Sequence, residues 1–304
     1  MLWALLSPFA GWAVLRLSGW EPKFRWSQLV SFTPYAAAGS LLPLVLALAL
    51  RRRPVAVAAL VVVGLLGSAV LPRAVPGKNP PADGPRLRVM TANLLVGEVP
   101  AAALVAAVKA RGPDVLTLQE LSPELARELD EQGIGALLPY RLERSSTAIY
   151  SRYPLRAGLT FLSDSWQHVG GVLTLPDGQE IDLVAVHACA PSGGWRAGCW
   201  KPSLRSLPPA GGRPRVLAGD FNATLDHAVL RDLISTGYRD AASVAGRGLS
   251  MTWPYGGWPA YFPRVAIDHV LASEGIAVAG FDTQALPVTD HRATVTDLVF
   301  GRPS

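Results

Sequence analysis

The sequence predicts a layered α/β domain built on β-sheets, preceded by apolar helices long enough to cross a membrane. Between residues 86 and 300, short apolar runs alternate with helical segments, and turn residues separate them. Two longer apolar stretches come before this part, and a Pro/Gly-rich segment lies between. We therefore expect a membrane region over residues 1–72, an extended linker over residues 73–85 and a folded domain over residues 86–304.

The two long apolar stretches, Ser27–Leu50 and Pro54–Pro72, contain no charged residue. Each is close to the ~20 residues that cross the core of a bilayer. Neither has the polar positions every third or fourth residue that a buried helix of a soluble domain shows. Residues 1–15 are also uncharged and apolar, and they lack the basic start and cleavage site of a signal peptide. We expect two membrane spans and a third, shorter one at the N-terminus.

The loop between the two stretches is the triple arginine Arg51–Arg53, the densest positive cluster in any short loop. Because such loops stay on the cytoplasmic side, it predicts a helical hairpin followed by an extracytoplasmic domain. Arg16, Lys23 and Arg25 count against this orientation, since they would then face outward.

Charge is distributed unevenly along the chain. Residues 1–85 hold eight of the 28 basic residues and two of the 23 acidic ones, so the rest of the chain is close to neutral. General, tight nucleic-acid binding depends on concentrated basic charge. The folded domain is therefore not expected to bind duplexes processively.

Strands and helices alternate after the linker. The apolar runs Leu87–Ala92 and Val115–Gln119 predict buried strands, and the Ala-rich segment Pro100–Arg111 predicts a helix between them. Ser122, followed by Pro, begins a second helix that Gly133 ends. Short strands are predicted next at Thr147–Ser151, Leu159–Leu162 and Val172–Leu175.

The second half of the domain continues the same pattern. Pro176–Gly178 is a hairpin turn that leads into the strand Ile181–His187. Val216–Ala218 reads as a buried strand, and Gly219 marks a close backbone approach at its end. A helix over His227–Ser235 follows, and the last strands are predicted at Val265–Leu271 and Thr294–Val299.

Polar residues follow the ends of the apolar strands, where α/β folds place their chemistry. Asp220 and Asn222 are two residues apart, so on an extended backbone both side chains point to one spot, where they can hold and deprotonate a water molecule. Together, the strand ends predict one polar, acidic cleft. The residues at these ends are Asn93, Gln119-Glu120, His187, Asp220 with Asn222, Asp268-His269 and Thr289-Asp290-His291.

These motifs, together with Ser151–Pro154, resemble the endonuclease/exonuclease/phosphatase superfamily in order and approximate spacing. That superfamily includes DNase I-like nucleases, sphingomyelinase-type lipases and inositol polyphosphate 5-phosphatases. The resemblance covers about residues 86–300. It implies a four-layer sandwich of two β-sheets flanked by helices, and metal-dependent hydrolysis of phosphoesters.

The resemblance also implies a metal side of the cleft. Glu120 would be the central ligand of Mg²⁺ or Mn²⁺, with Asn93 and Asp290 close by. Such hard cations prefer carboxylate and carbonyl oxygens, which these residues supply. Asn93-Leu94-Leu95 lacks the acidic residue that abasic-site nucleases of the superfamily carry shortly after the asparagine, which puts a second ligand there in doubt.

The catalytic side of the cleft follows from the same resemblance. Asp220 would be the general base or orient the water, and Asn222 would hold Asp220 or the phosphate. His187 and His291 would donate to phosphate oxygens, one of them protonating the leaving group. Asp268 would pair with a histidine and raise its pKa.

Structural roles compete with some of these assignments. Glu120 could cap the helix that starts near Ser122, Asp220 and Asn222 could form a turn, and His187 could be a strand-end residue. We interpret His269 as a structural or cleft-lining residue, His168 and His227 as surface residues, and Arg152 as a structural or rim residue. The aromatic residues that could line a cleft, pack or contact a membrane are Trp195, Trp200, Trp253, Trp258 and Tyr261.

The chain has two cysteines, Cys189 and Cys199, with a Pro/Gly-rich loop between them. We favour a disulfide, which requires an oxidising compartment; two free thiols are the alternative. Their spacing is not that of a zinc motif.

The sequence therefore predicts a membrane-anchored, extracytoplasmic, metal-dependent phosphodiesterase. Its substrate would be a nucleic acid, as for an endonuclease or exonuclease, or a phospholipid, and its N-terminal helices would contact the bilayer. The alternative from a different class is a catalytically silent binding module on a membrane stalk.

Overall fold

Two β-sheets form the centre of the protein, each with six strands among the residues that the structure describes. The computed structural model describes residues 1–21, 24–158, 168–193 and 195–302. The predicted strand Leu159–Leu162 lies outside these residues.

The described part of residues 1–72 contains five α-helices: α1 (Leu2–Ser18), α2 (Phe24–Leu29), α3 (Thr33–Gly39), α4 (Leu41–Ala49) and α5 (Arg53–Val70). Short 3-10 turns at Val30–Phe32 and Leu71–Ala74 complete it.

The helices of this region bury apolar side chains against one another and leave many other large apolar side chains exposed. Leu6, Ala47 and Ala59 belong to one buried cluster between the helices. Residues 25–49 and 53–74 are long and apolar enough to cross a membrane by length and composition, whereas α1 is shorter. The outward-facing side chains of α4 and α5 include Leu42, Val45, Leu48, Val57, Leu60 and Val61.

The first sheet contains, in spatial order, β11 (Ala277–Ala285), β12 (Arg292–Val299), β1 (Arg86–Asn93), β2 (Val115–Gln119), β4 (Thr147–Ser151) and β3 (Tyr140–Arg144). Only the neighbours β1 and β2 are parallel among these described strands. Its outer face is covered by α6 (Ala101–Arg111), α7 (Pro123–Glu131) and α8 (Ile134–Leu137).

The second sheet contains, in spatial order, β5 (Leu155–Ala157), β6 (Val169–Thr174), β7 (Glu180–His187), β8 (Arg215–Asp220), β10 (Asp268–Ser273) and β9 (Tyr238–Asp240). Here the parallel pair is β7 and β8. The helices α9 (Trp195–Arg205) and α10 (Ala228–Ser235) cover its outer face, and α11 (Ala241–Val244) follows β9.

The inner faces of the two sheets pack on each other. Val89 and Ile149 of the first sheet lie in one buried cluster with Leu183, Val216 and Val270 of the second. Strand side chains alternate between faces, so the remaining apolar residues of the same strands meet the outer helices. The result is the expected four-layer arrangement of helices, sheet, sheet and helices.

Each sheet brings its strand ends to the same edge. The carboxyl ends of the parallel strands β7 and β8 lie side by side, with His187 opposite Asp220. Gly219 makes this approach possible. A Cβ atom there would lie 2.0 Å from the carbonyl oxygen of Val186, and its φ of 151° is rare for other residues. The predicted close approach at Gly219 is confirmed.

Some predicted elements differ from the structure. The strand predicted at Val265–Leu271 begins only at Asp268, because Val265 instead forms an isolated bridge with Trp253. The elements that the sequence did not predict are β3, β5, β9, β11 and α9, with α8 and α11 as single short turns of helix.

The segment between the helices and the folded domain forms hydrogen bonds with the domain at residues 77 and 79. The amide of Gly77 donates to the carbonyl of Val244, and the side chain of Asn79 bonds both backbone groups of Val278. Residues 76–79 therefore lie along the domain surface.

Candidate active site

Asn93, at the end of β1, joins carboxylates from both sheets. Its buried Nδ2 donates to Oε1 of Glu120 at 3.2 Å and to Oδ2 of Asp220 at 3.1 Å. Its Oδ1 accepts from the amide of Leu95 at 3.0 Å. Asn93 thus holds the two carboxylates next to each other, and its role as a metal ligand stays a prediction.

Glu120 directly follows β2 in the left-handed backbone region, with φ of 56°. Its Oε2 accepts from the amide of Val96 at 2.8 Å, and its Oε1 lies 3.7 Å from Nε2 of His187. The cap of α7 is Ser122, whose hydroxyl accepts from Leu125. The alternative that Glu120 caps this helix is therefore not what the structure shows.

Asp220 and Asn222 form a tight turn that faces Asn93. Oδ1 of Asp220 accepts from the amide of Asn222 at 2.8 Å, and Oδ2 accepts from its Nδ2 at 3.1 Å. Asn222 also has a positive φ, 48°, and its Nδ2 donates to the carbonyl of Ala188. Strained, well-bonded residues of this kind are typical of functional sites. Burial, opposed by the charge of His291 and aided by the Asp268 carboxylate, raises the pKa of Asp220 to about 7.

Asp268 and His291 form a buried ion pair. Nδ1 of His291 donates to the Asp268 carboxylate at 2.9 Å and 3.1 Å. Its Nε2 lies 4.0 Å from Oδ2 of Asp220 and 3.9 Å from Oδ1 of Asp290. Burial alone lowers the pKa of His291, but Asp268, followed by Asp220 and Asp290, outweighs it and raises the pKa to about 10. The pairing predicted for Asp268 is present in this structure.

Asp290 offers an unused acceptor. Its Oδ2 accepts from Nε1 of Trp253 at 2.8 Å. Among the described residues none donates a hydrogen bond to its buried Oδ1. A buried carboxylate oxygen without a donor is costly unless a cation or water binds it. Oδ1 of Asp290 therefore fits a metal ligand.

Ligand atoms of Asp220, Asp268 and His291 also come within 4.8 Å of one another, the spacing of a metal cluster. Both oxygens of Asp268, however, already bind Nδ1 of His291. The Asp268 carboxylate is therefore already occupied by the imidazole of His291. We infer that this cluster holds a proton, and that Glu120 and Asp290 are the better oxygen ligands for a hard divalent ion.

His187 at the end of β7 completes the site. Burial lowers the pKa of His187, while the charge of Glu120 opposes this effect. Its backbone amide donates to Nδ1 of His168, which burial keeps neutral by lowering the His168 pKa to about 4. His168 therefore orients the end of the strand that carries His187.

The prediction that His168 and His227 lie on the surface is wrong. Both are buried, because each imidazole fills a polar gap between elements: His168 contacts the Ser203 carbonyl, and His227 contacts the Ser27 carbonyl at 2.6 Å. His269 is structural, as predicted, with its ring held between Asp240 and the carbonyl of Ala223.

The structure joins Cys189 and Cys199 by a disulfide, with their Cα atoms 5.9 Å apart. The bond links the segment just after His187 to α9. From that helix, the buried Trp200 donates through Nε1 to the carbonyl of Asn222 at 3.0 Å. Trp200 therefore supports the turn formed by Asp220 and Asn222. The side chain of Trp195 is not among those that the structure describes.

All eight predicted site residues form one connected network. Each residue has an atom within 4.0 Å of another member. The contacts run from His187 to Glu120, Asn93 and Asp220, which also binds Asn222. From Asp220 they continue to His291, which contacts Asp268 and Asp290. Sequence reasoning missed Thr252, whose hydroxyl accepts from the amide of Asp268 at 3.1 Å and fixes the start of β10. A threonine in a loop gives no signal of this kind in a single sequence.

The site residues lie within the part of the chain that matches a known protein family. The model of the "Endonuclease/Exonuclease/phosphatase family" matches residues 90–291, a span that contains all eight residues. The chain belongs to this family. No curated protein matches the chain closely enough to be counted as a relative.

Solved structures of the family share the fold. An endonuclease/exonuclease/phosphatase from Beutenbergia cavernae DSM 12333 is 18% identical with a TM-score of 0.51, covering 71% of this chain and 72% of that one. TDP2 from D. rerio, complexed with a single strand DNA product, is 16% identical with a TM-score of 0.54, covering 70% of this chain and 98% of that one. TDP2 from C. elegans is 17% identical with a TM-score of 0.53, covering 72% and 77%.

Proposed function

We propose that this family member is a membrane-anchored phosphodiesterase that hydrolyses its substrate with a divalent metal ion, Mg²⁺ or Mn²⁺. The observation that carries the proposal is the connected network of three carboxylates, two amides and two histidines around Asp220. The buried Oδ1 of Asp290, which has no donor among the described residues, supports a ligand at this network.

The metal would be held by Glu120 and Asp290, with Asn93 beside them. When bound, such an ion neutralises phosphate oxygens and polarises the phosphorus centre. Glu120 and Asp290 offer carboxylate oxygens, which suit a hard cation such as Mg²⁺ or Mn²⁺.

The protein's own groups would move the protons. Asp220, held by Asn93 and Asn222, accepts a proton from the attacking water, and its raised pKa makes it a better base than an ordinary aspartate. His291, kept protonated by Asp268, donates toward the phosphate or the leaving oxygen. His187 donates to a second phosphate oxygen.

Two observations support the anchoring and the location. Large apolar side chains cover the outside of α4 and α5, where a soluble protein would expose polar groups. A disulfide between Cys189 and Cys199 suits an extracytoplasmic domain.

Two observations bear on the substrate class. The DNA product bound by the D. rerio TDP2 favours a nucleic acid, while a bilayer beside the site favours a phospholipid. The near-neutral folded domain fits either a weakly bound nucleic acid or a small phosphodiester.

A substrate panel tests the proposal. The full chain in detergent is assayed with Mg²⁺, with Mn²⁺ and with excess EDTA on plasmid DNA, a single-stranded oligonucleotide, sphingomyelin, phosphoinositides and a chromogenic phosphodiester. We expect turnover that EDTA abolishes on at least one of them. Absence of metal-dependent turnover on all of them would favour the silent binding module.

A further inference from the structure

A buried carboxylate fixes one end of the helical region to the folded domain. The side chain of Asp226, in the loop after β8, is fully buried. It accepts from Arg16, near the end of α1, at 2.6 Å, and from Arg73, just after α5, at 2.5 Å and 2.8 Å. The carboxyl ends of α1 and α5 therefore lie against the domain. Arg16 counted against the predicted orientation because it would face outward, and this contact gives it a partner on the domain side.

The arginine loop Arg51–Arg53 lies at the other end of the helices. The helix α5 has 18 residues, Arg53–Val70. At 1.5 Å per residue its length is about 27 Å, close to the thickness of a bilayer core. If α4 and α5 span the membrane, as proposed above, the folded domain rests on the bilayer surface opposite the arginine loop.

One loop of the domain reaches this surface. We call Trp253–Arg264 the aromatic loop. The hydroxyl of Tyr35, in α3, donates to the carbonyl of Arg264 and accepts from its amide, both at 2.9 Å. A helical rise of about 22 Å separates Tyr35 from Leu50, which places Tyr35 in the domain-side third of a ~30 Å core. Its hydrogen bonds to Arg264 therefore hold the aromatic loop near the domain-side boundary of the core.

The exposed side chains of the aromatic loop suit a membrane interface. Tyr261 is 89% exposed and Trp258 is 41% exposed. The ring of Trp258 packs on those of Trp253 and Phe262, so the exposed Trp258 belongs to an aromatic cluster. Rings with an apolar body and a polar tip are enriched at the headgroup level of bilayers.

The same loop borders the active site. Nε1 of Trp253 donates to Oδ2 of Asp290, and the amide of Tyr255 donates to the carbonyl of Asp290. A single loop therefore contacts the membrane region at Arg264 and the catalytic network at Asp290.

We propose that the aromatic loop lies in the headgroup layer of the bilayer that holds α4 and α5, so that the mouth of the active site opens at the membrane surface. The partner of this surface is the lipid interface, and the inference rests on the membrane anchoring in the proposed function. The folded domain is a fixed part of the membrane protein rather than a module on a free tether.

Depth-dependent fluorescence quenching tests the proposal. Both native cysteines form the disulfide, so one added cysteine gives a single labelling site. The variant Tyr261→Cys is labelled with an environment-sensitive fluorophore in the full chain, in nanodiscs containing lipids with a quencher near the headgroup. The matched control is Tyr140→Cys, which is exposed on β3, at the far edge of the first sheet.

We expect at least threefold stronger quenching at position 261 than at position 140, and a blue-shifted emission at position 261 only. Equal quenching at both positions would overturn the inference. Labelling of Arg52→Cys by membrane-impermeant reagents, added to either side, separately tests the anchoring. If Arg52→Cys shows that the helices span the bilayer but position 261 stays unquenched, the inference alone fails. If the helices do not span the bilayer, the anchoring itself fails.

Discussion

The pair of Asp268 and His291 makes the sharpest prediction about the chemistry. In Asp268→Asn the shape of the side chain is kept, but the negative charge 2.9 Å from Nδ1 of His291 is lost. That carboxylate is the largest of the influences that raise the pKa of His291 to about 10. Loss of an opposite charge at this distance lowers a pKa by about one to three units. We therefore expect the pKa of His291 to fall to between about 7 and about 9.

The expected consequence is a shift of the alkaline limb of the pH–rate profile. The active form has Asp220 ionised and His291 protonated, so activity rises with pH through the pKa of Asp220 and falls through that of His291. With a loss of two units, the protonated fraction of His291 at pH 9 falls from about nine-tenths to about one-tenth, and kcat there falls about tenfold. A cation bound at Asp290 would lower the pKa of Asp220 and that of His291 in both proteins, so the shift between wild type and variant keeps its sign.

The assay is metal-dependent turnover of a chromogenic phosphodiester by the full chain between pH 5 and pH 10, with the His291 ring protons followed by NMR. Asp297→Asn is the matched control, because Asp297 forms an exposed ion pair with Arg88 near the start of β1, whereas the site lies at the other end of that strand. The alkaline limb should stay in place in the control. If it also stays in place in Asp268→Asn, the role of His291 as a proton donor is refuted.

Three further predictions concern stability, each measured as thermal or denaturant unfolding of the full chain. Gly219→Ala is expected to prevent correct folding, because the new Cβ would lie 2.0 Å from the backbone oxygen of Val186. The control Gly178→Ala places its Cβ in open space and should cost about 1 kcal/mol. Similar melting temperatures of the two variants would contradict this prediction. Cys189→Ser removes the disulfide and should lower the free energy of unfolding by about 2 to 3 kcal/mol, as should reduction of the wild type, and an unchanged melting temperature would speak against the bond. Asp226→Asn leaves two buried arginines without a countercharge and should cost about 3 to 5 kcal/mol, and a loss below 1 kcal/mol would show that the contact is not formed.

Much of the fold could be predicted because the local pattern and the tertiary environment agree. β2, β4 and the second half of β1 are short, mostly apolar runs, and in the structure all of their residues are buried. Such strands can be recognised from composition alone.

The elements that were missed lack such a pattern. β3 and β11 lie at the edges of the first sheet, and most of their residues are exposed or half-buried. The helix α9 contains Pro202 and Gly198, residues that normally argue against a helix. These segments owe their conformation to their neighbours in the fold, and a single sequence does not show those neighbours.

The members of the site were predictable because each one ends or begins a strand at the same edge of the sandwich. Their partners were not. The use of Asn93 as a donor to both Glu120 and Asp220 depends on how close the two sheets come. The burial of His168 depends in the same way on the packing of α9. Contacts of this kind join residues far apart in the chain and leave no periodic signal.

The most direct test of the central claim compares two conservative variants in one experiment. Metal-dependent turnover of the best substrate and Mn²⁺ binding, followed by electron paramagnetic resonance, are measured for the wild type, Glu120→Gln and Asp220→Asn. The proposed site predicts that Glu120→Gln weakens Mn²⁺ binding and that both variants lose at least about 100-fold in kcat/KM. Turnover that survives in both variants would contradict the assignment of this cleft as a phosphodiesterase site.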